Sequence, residues 1–240
     1  MKAASLREPP DAASGNNTAQ RRRVTTNVRE TAFGFTGPGS RVPGPDSDFD
    51  VLMSRIRACR VCERHLPHGC RPVLQAHPDA RLLIVSQAPG RKVHDTGIPF
   101  NDKSGEKLRD WLAIDRDTFY DARRVAIVPM GFCYPGKGPS GDLPPRQECA
   151  PLWHPQLLPR LANIRLTLAI GGYAIRGMLG SRRKATLTET CAAWREYLDT
   201  GMLPLPHPSP RNTAWFQRHP WFEADALPAL RRRVRRVLHE

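Results

Sequence analysis

The hydrophobic residues after position 48 fall into two patterns. Unbroken apolar runs of four or five residues occupy 82–85, 125–128, 166–170 and 202–205, the length and character of strands buried on both faces of a parallel sheet. Between them, apolar residues return at helical intervals over 104–112, 145–161, 173–179 and 188–198, with start signals ahead of several. Upstream, the stretch DFDVLMSRIRACRVC sets Val51, Leu52, Ile56 and Val61 at roughly helical spacing after an Asp-rich start that can cap a helix. That first helix leads into Cys59 and Cys62. From Trp221 onward, Phe222, Leu227, Leu230, Val234 and Leu238 recur at helical intervals with Arg231, Arg232, Arg233, Arg235 and Arg236 between them, which predicts an amphipathic helix. Strands alternating with helices predict βαβ units and an α/β fold: a three-layer α/β/α sandwich around a central, mostly parallel sheet of four strands. There is no internal repeat.

Composition narrows this picture. Residues 1–47 are rich in Ala, Ser, Asn, Gly, Pro and Arg with no sustained hydrophobic period, which predicts a disordered tail ahead of one domain over 48–240. Such a domain is large enough to bury a continuous core. No run approaches the roughly 18 apolar residues that a membrane span needs, and no apolar stretch follows the first basic residues; the expectation is a soluble, cytoplasmic monomer with no membrane partner. The net charge of +14 is not a property of the tail, which holds 7 basic and 4 acidic residues and leaves 30 against 19 for the domain. A folded domain this basic suits a polyanion, because each neutralised phosphate releases condensed counterions. A solvated basic surface gives the same composition. Both readings apply to Arg21, Arg22 and Arg23 in the tail and to the arginines of the last helix, where a solvated face is the commoner cause.

In parallel α/β sheets ligands bind beyond the carboxyl ends of the strands, and the loops there carry this chain's least ordinary residues. After the first run comes SQAPG, Ser86 to Gly90, then HDTGIPFNDKSG from His94 to Gly105. Small residues let backbone N–H groups approach a ligand, and Asp, Asn, His and an aromatic ring arrive together, although a strand followed by Ala-Pro-Gly is often only a turn. After the fourth run comes PHPSPRN, whose three prolines stiffen the loop and fix the imidazole of His207, a group able to bond a base carbonyl or developing negative charge. Six cysteines in a chain with no export signal argue for metal binding, catalysis or core packing over disulfides. Cys59 and Cys62 form a CxxC, and Cys133 and Cys149 flank the loop after the second run with fifteen residues between them. Two such thiolate pairs can close a tetrahedral site for zinc or hold an iron-sulfur cluster. Cys70 and Cys191 are read as buried apolar cysteines.

Taken together, the SQAPG loop, the CxxC, the C-x15-C and the PHPSPRN loop resemble the corresponding elements of the family 4 uracil-DNA glycosylases, from about Ile56 to Leu238. The resemblance implies the glycosylase fold and a 4Fe-4S cluster on Cys59, Cys62, Cys133 and Cys149, with zinc the alternative that spacing leaves open. It places Ser86, Gln87 and Ala88 beside a flipped base, Gln87 resembling the Gln of family 1 enzymes, and makes Phe100 of the TGxPF stretch the ring that stacks on that base. Base–aromatic stacking, roughly 1 to 3 kcal/mol, offsets part of the cost of unstacking. The resemblance also assigns His207 to the pyrimidine O2 and the departing anion, Arg211 and Asn212 to the gap in the duplex, and Ser209 to the backbone phosphates.

Three departures bear on the chemistry. Pro129 stands where the family carries an Asn that reads the uracil edge; the Asn that follows the family's third cysteine has no clear counterpart in YPGKGPSGD; and Ala88 stands where family 1 enzymes keep a water-activating Asp. Candidate replacements are Asp102, Asp95 and Asn101, since a carboxylate or amide near the sugar can orient water and stabilise oxocarbenium-like charge. Asp102 lies close to the position of the acidic residue in family 5 enzymes, and either Asp can instead cap the helix that starts near Ser104. The expected activity is that of a monofunctional DNA glycosylase. It flips a deaminated base, uracil first, into a pocket lined by Gln87, Phe100, Asn101 and His207, and hydrolyses the N-glycosidic bond to leave an abasic site. No lysine of the two loops is placed for Schiff-base chemistry, with Lys92, Lys103 and Lys107 nearby. The alternatives are action on another damaged base such as hypoxanthine or xanthine, or a non-catalytic DNA-binding protein with a structural metal cluster.

Overall fold

The computed structural model describes residues 45–139 and 141–239. The tail expected over 1–47, with Arg21, Arg22 and Arg23, lies outside them except for Pro45, Asp46 and Ser47, which open the first helix, α1 (Pro45–Arg57). The buried face of α1 is Phe49, Leu52, Met53 and Ile56, whereas Val51 and Val61 are 59% and 58% exposed. The i, i+3, i+4, i+7 stripe therefore starts at Phe49, two residues ahead of the expected phase.

The chain continues through β1 (Leu82–Val85), α2 (Arg91–Thr96), α3 (Lys103–Leu112), α4 (Arg116–Tyr120) and β2 (Val125–Ile127). Next come the short strands β3 (Lys137–Gly138) and β4 (Gly141–Asp142), then α5 (Cys149–Leu157), β5 (Leu166–Ile170) and α6 (Gly171–Leu179). It closes with α7 (Leu187–Ala192), α8 (Trp194–Leu198), β6 (Met202–Leu205), α9 (Thr213–Arg218) and α10 (Leu227–His239), the last preceded by a π turn over Phe222–Ala226. The helix expected over 145–161 begins only at Cys149 and ends in a 3-10 turn, Leu158–Arg160. The one expected over 188–198 is two helices broken at Ala193, the first started by a Thr186–Glu189 capping box.

The four apolar runs form one parallel sheet in the order β2-β1-β5-β6, with Leu82 beside both Val125 and Leu166 and Ile170 beside Leu205. Strand alternation divides the core between two faces. Leu82, Ile84, Val125, Ile127, Leu166, Leu168, Leu203 and Leu205 pack against α3, the π turn and α10; Leu83, Val85, Ala126, Val128 and Ala169 pack against α1, α5 and α6. Each fully buried aliphatic side chain contributes about 1.5–3 kcal/mol, and this two-sided burial is why the strands read as unbroken apolar runs. Pro204 is tolerated because β6 is an edge strand, where a missing N–H costs no ladder bond. The other edge is partly covered by Gln75, whose backbone exchanges bonds of 2.9 and 2.7 Å with Ile127. The chain crosses from β1 to β2 on one side and then from β2 back past β1 to β5 on the other, so the crevice beyond the carboxyl end of β1 is a topological switch point.

Candidate active site

The exits of β1 and β2 stay zipped beyond the strands. Val128 N donates to Ile84 O at 2.9 Å, Met130 N to Ser86 O at 2.8 Å and Gly131 N to Gln87 O at 2.9 Å, which holds Ser86 and Gln87 beside Pro129. Gln87 reaches across with its amide nitrogen to Leu143 O, 3.3 Å away. The carbonyl of Pro129 accepts a hydrogen bond from the buried His154 Nε2 at 3.0 Å. His154 is buried, burial holds its pKa below the usual value, and the bond to a carbonyl places its hydrogen on Nε2.

Beyond β6, the PHPSPRN loop is fixed by its prolines and by hydrogen bonds within it. Asn212 Nδ2 donates to His207 O at 2.8 Å, and Ser209 Oγ accepts from Arg211 N at 3.3 Å. Phe100 holds a left-handed φ of 53°, uncommon for a non-glycine residue. Its carbonyl accepts from Tyr120 OH at 3.3 Å, and a Cβ at residue 105 would overlap that carbonyl, so only glycine fits there. The Phe100 ring is 8% exposed and meets Phe119 edge-on at 6.1 Å; it is at once part of the core and part of the wall of the cleft.

That cleft, about 450 Å³, is lined by Ser86, Gln87 and Ala88 from the first loop, Phe100 and Asp102 from the turn into α3, and Pro129 from the second strand's exit. His207, Ser209, Arg211 and Asn212 close it from the other side. Nine of the expected binding and catalytic residues therefore share one cavity at the carboxyl edge of the sheet. Two do not. Asp95 is turned away by an ion pair with Arg91 of its own helix at 2.9 Å, and Asn101 does not line the cleft, because the turn at Phe100 presents the ring there instead. Asp102 does both things that its sequence position allows: it lines the cleft, and its Oδ1 caps α3 by accepting from Gly105 N at 2.8 Å.

Sequence reasoning passed over Asp142. The β3–β4 hairpin returns it to the cleft, where Tyr134 OH donates to its Oδ1 at 3.4 Å and its Oδ2 lies against Gly90. The signal was the Gly/Pro-rich PSGDLPP after the second strand, a turn sequence that folds back over the same edge. Asp102 and Asp142 both raise the proton affinity of His207, yet its burial outweighs them and the imidazole pKa lies below the usual 6.5. At neutral pH it is uncharged, a hydrogen-bond donor through one nitrogen only.

A second, narrow and mostly apolar cavity is lined by Cys59, Cys62, Cys133 and Cys149, which come from the end of α1, the loop after β2 and the start of α5. Cys70 lines it too, a correction to its reading as a core cysteine; Cys191 is buried away from it. Burial pushes the thiols of Cys133 and Cys149 up to about 12, and Phe132 N donates to Cys149 Sγ at 3.3 Å. Among the described residues no three His, Cys, Asp or Glu side chains stand as a ready-made site for a metal ion. The donor set nonetheless fits a thiolate-bound group: five soft sulfur donors, Phe132 and Trp153 as apolar walls, and an Arg146–Glu148 pair at 2.6 Å on the rim.

A parallel sheet whose carboxyl edge presents an uncharged histidine, two carboxylates and a ring at the wall of an open cleft, in a strongly basic chain, defines an α/β enzyme acting on nucleic acid. The sequence profile of the uracil DNA glycosylase superfamily matches residues 74–231, and the chain belongs to that superfamily. It is also similar to the type-4 uracil-DNA glycosylase of Thermotoga maritima, 25% identical over 162 residues that cover 67% of this chain and 81% of that protein. The protein is a DNA glycosylase, a repair hydrolase whose substrate is DNA.

Proposed function

We propose that the cleft excises uracil from DNA. The observation that carries this reading is the placement of His207 opposite the Ser86–Gln87–Ala88 loop and the Phe100 wall, with Asp102 and Asp142 acting on it from the flanks. The Phe100 ring, where it walls the cleft, stacks on the flipped base, and Arg211 and Asn212 brace the duplex it has left. As the bond between C1′ and the base nitrogen breaks, neutral His207 donates an N–H bond to the base carbonyl oxygen on which negative charge develops. Asp142, held by Tyr134, orients the attacking water, accepts its proton as the new C1′–O bond forms, and faces the oxocarbenium-like sugar. Asp102 contributes charge but is partly committed to its helix cap.

The four cysteines Cys59, Cys62, Cys133 and Cys149 would hold a 4Fe-4S cluster, with zinc as the alternative. Bound there, it ties α1, the loop after β2 and α5 together, a structural role.

A second reading rests on Pro129. A proline with its carbonyl bonded to His154 offers the base neither an amide side chain nor a donor, which favours a range of deaminated bases, hypoxanthine and xanthine included. The test is release of base from oligonucleotides with a single uracil, hypoxanthine or xanthine, by wild type and His207→Ala. Release that falls by about 10²–10³ in the variant with its melting temperature unchanged supports the enzyme. Tight binding with no release from any substrate would overturn it in favour of a DNA-binding protein.

A further inference from the structure

The end of the sheet opposite the cleft carries a charge pattern that base excision does not use. Arg81, Arg124 and Arg165 immediately precede β1, β2 and β5, so three parallel strands begin on arginine. The last turns of α10 lie on the same edge, tied there by Arg124 Nη2 donating to Leu238 O at 3.3 Å. Arg232, Arg235 and Arg236, at i, i+3 and i+4 of that helix, are exposed. Three hollows along this edge are lined by these six arginines, and among the described residues none of the six forms an ion pair. Asp79, the acid beside Arg81, is already paired with Arg123 at 2.7 Å.

One acid borders each hollow, Asp199, Asp79 and Asp115, and Arg124 acts on Asp115, but the six arginines outnumber these acids and repel one another. All six are arginine, whose planar fork matches phosphate oxygens in pairs. The five residues of β5 set this edge about 16 Å behind the cleft and facing the other way, so a straight duplex bound at the cleft does not cover it.

We propose that this amino-edge arginine face is a second nucleic-acid surface, which holds an undamaged DNA segment by its phosphates while the cleft is engaged with another. This goes beyond base excision and does not depend on it. The test mixes the full chain with two undamaged duplexes, one carrying a donor dye and one an acceptor, and compares wild type with Arg232→Glu/Arg235→Glu/Arg236→Glu. Wild type brings the duplexes together, with energy transfer that falls steeply as salt is raised. The triple variant loses that bridging at least about tenfold, while its melting temperature and its single-turnover release from a uracil duplex stay as in wild type. Should the triple variant melt early, Arg81→Gln/Arg165→Gln carries the same comparison. Wild type that binds one duplex but never bridges two, or variants that bridge as wild type does, would overturn the proposal. So would displacement of the second duplex by an acidic polypeptide that binds this face more tightly, which would assign it to a protein partner. Because both duplexes are undamaged, a failure to release any base leaves the bridging result standing.

Discussion

The cleft and the cysteine cavity share a stretch of chain and little else. Between Pro129 and Cys149 the backbone serves them in turn: Pro129 and Asp142 line the cleft, Cys133 and Cys149 the cavity, and Tyr134, next to Cys133, steadies Asp142. In the cavity, burial, with the neighbouring cysteines adding to it, raises the thiols of Cys133 and Cys149 to about 12, a state from which a bound group recovers the thiolates. In the cleft, burial and two carboxylates oppose one another on a single imidazole. One site holds and the other reacts, which predicts that damage to each is read on a different instrument.

The widest separation is expected from Cys149→Ser set against Cys191→Ala. With the proposed cluster in place, the first loses iron and on the order of several kcal/mol of stability; the second keeps iron and costs only a cavity. Iron analysis and denaturant unfolding check this, and equal iron in the two would erase the distinction. Next comes Asp142→Asn, which lowers the single-turnover rate by about 10²-fold or more with unchanged melting. Asp102→Asn instead also removes the cap of α3 and about 1 kcal/mol of stability; a wild-type rate in Asp142→Asn would pass the water-orienting role to Asp102. A smaller effect is the pH profile. The depressed His207 pKa keeps the imidazole neutral to below 6.5, so the acid limb of base release falls below that value. Removing either carboxylate moves it lower still, since each raises the proton affinity. The unfolded chain takes up this proton first, so stability falls as pH drops through 6.5. The smallest change is expected from Pro129→Asn, a shift of about tenfold in the preference for uracil over hypoxanthine, measured as a ratio of rates.

The strands were legible because burial on both faces leaves no polar position in runs such as 166–170. The phase of α1 was not, because Val51 is apolar by composition yet faces solvent, while Phe49 lies among the acidic residues read as a cap. The CxxC and C-x15-C pairs stand out by spacing, whereas Cys70 reaches the same cavity from a loop with no partner at a telling interval. Asp142 was hidden for a related reason: its neighbours Gly90 and His207 lie 52 and 65 positions away, and β3 and β4 are two-residue strands of glycine and charge that no hydrophobic period announces. Asp95 and Asp102, by contrast, differ only in what their helices do with them, an ion pair in one and a cap in the other.

Position 105 carries a consequence for how this protein can drift. Its glycine sits inside a helix, where chain entropy argues for alanine, yet any side chain there would strike the backbone of the residue whose ring walls the cleft. In a deep mutational scan the site therefore behaves as if it touched substrate, intolerant of every replacement, although it is buried in α3 and does not line the cleft. A screen that ranks residues by intolerance alone would list it beside His207, and only the retained fold of the histidine variants would tell the scaffold from the chemistry.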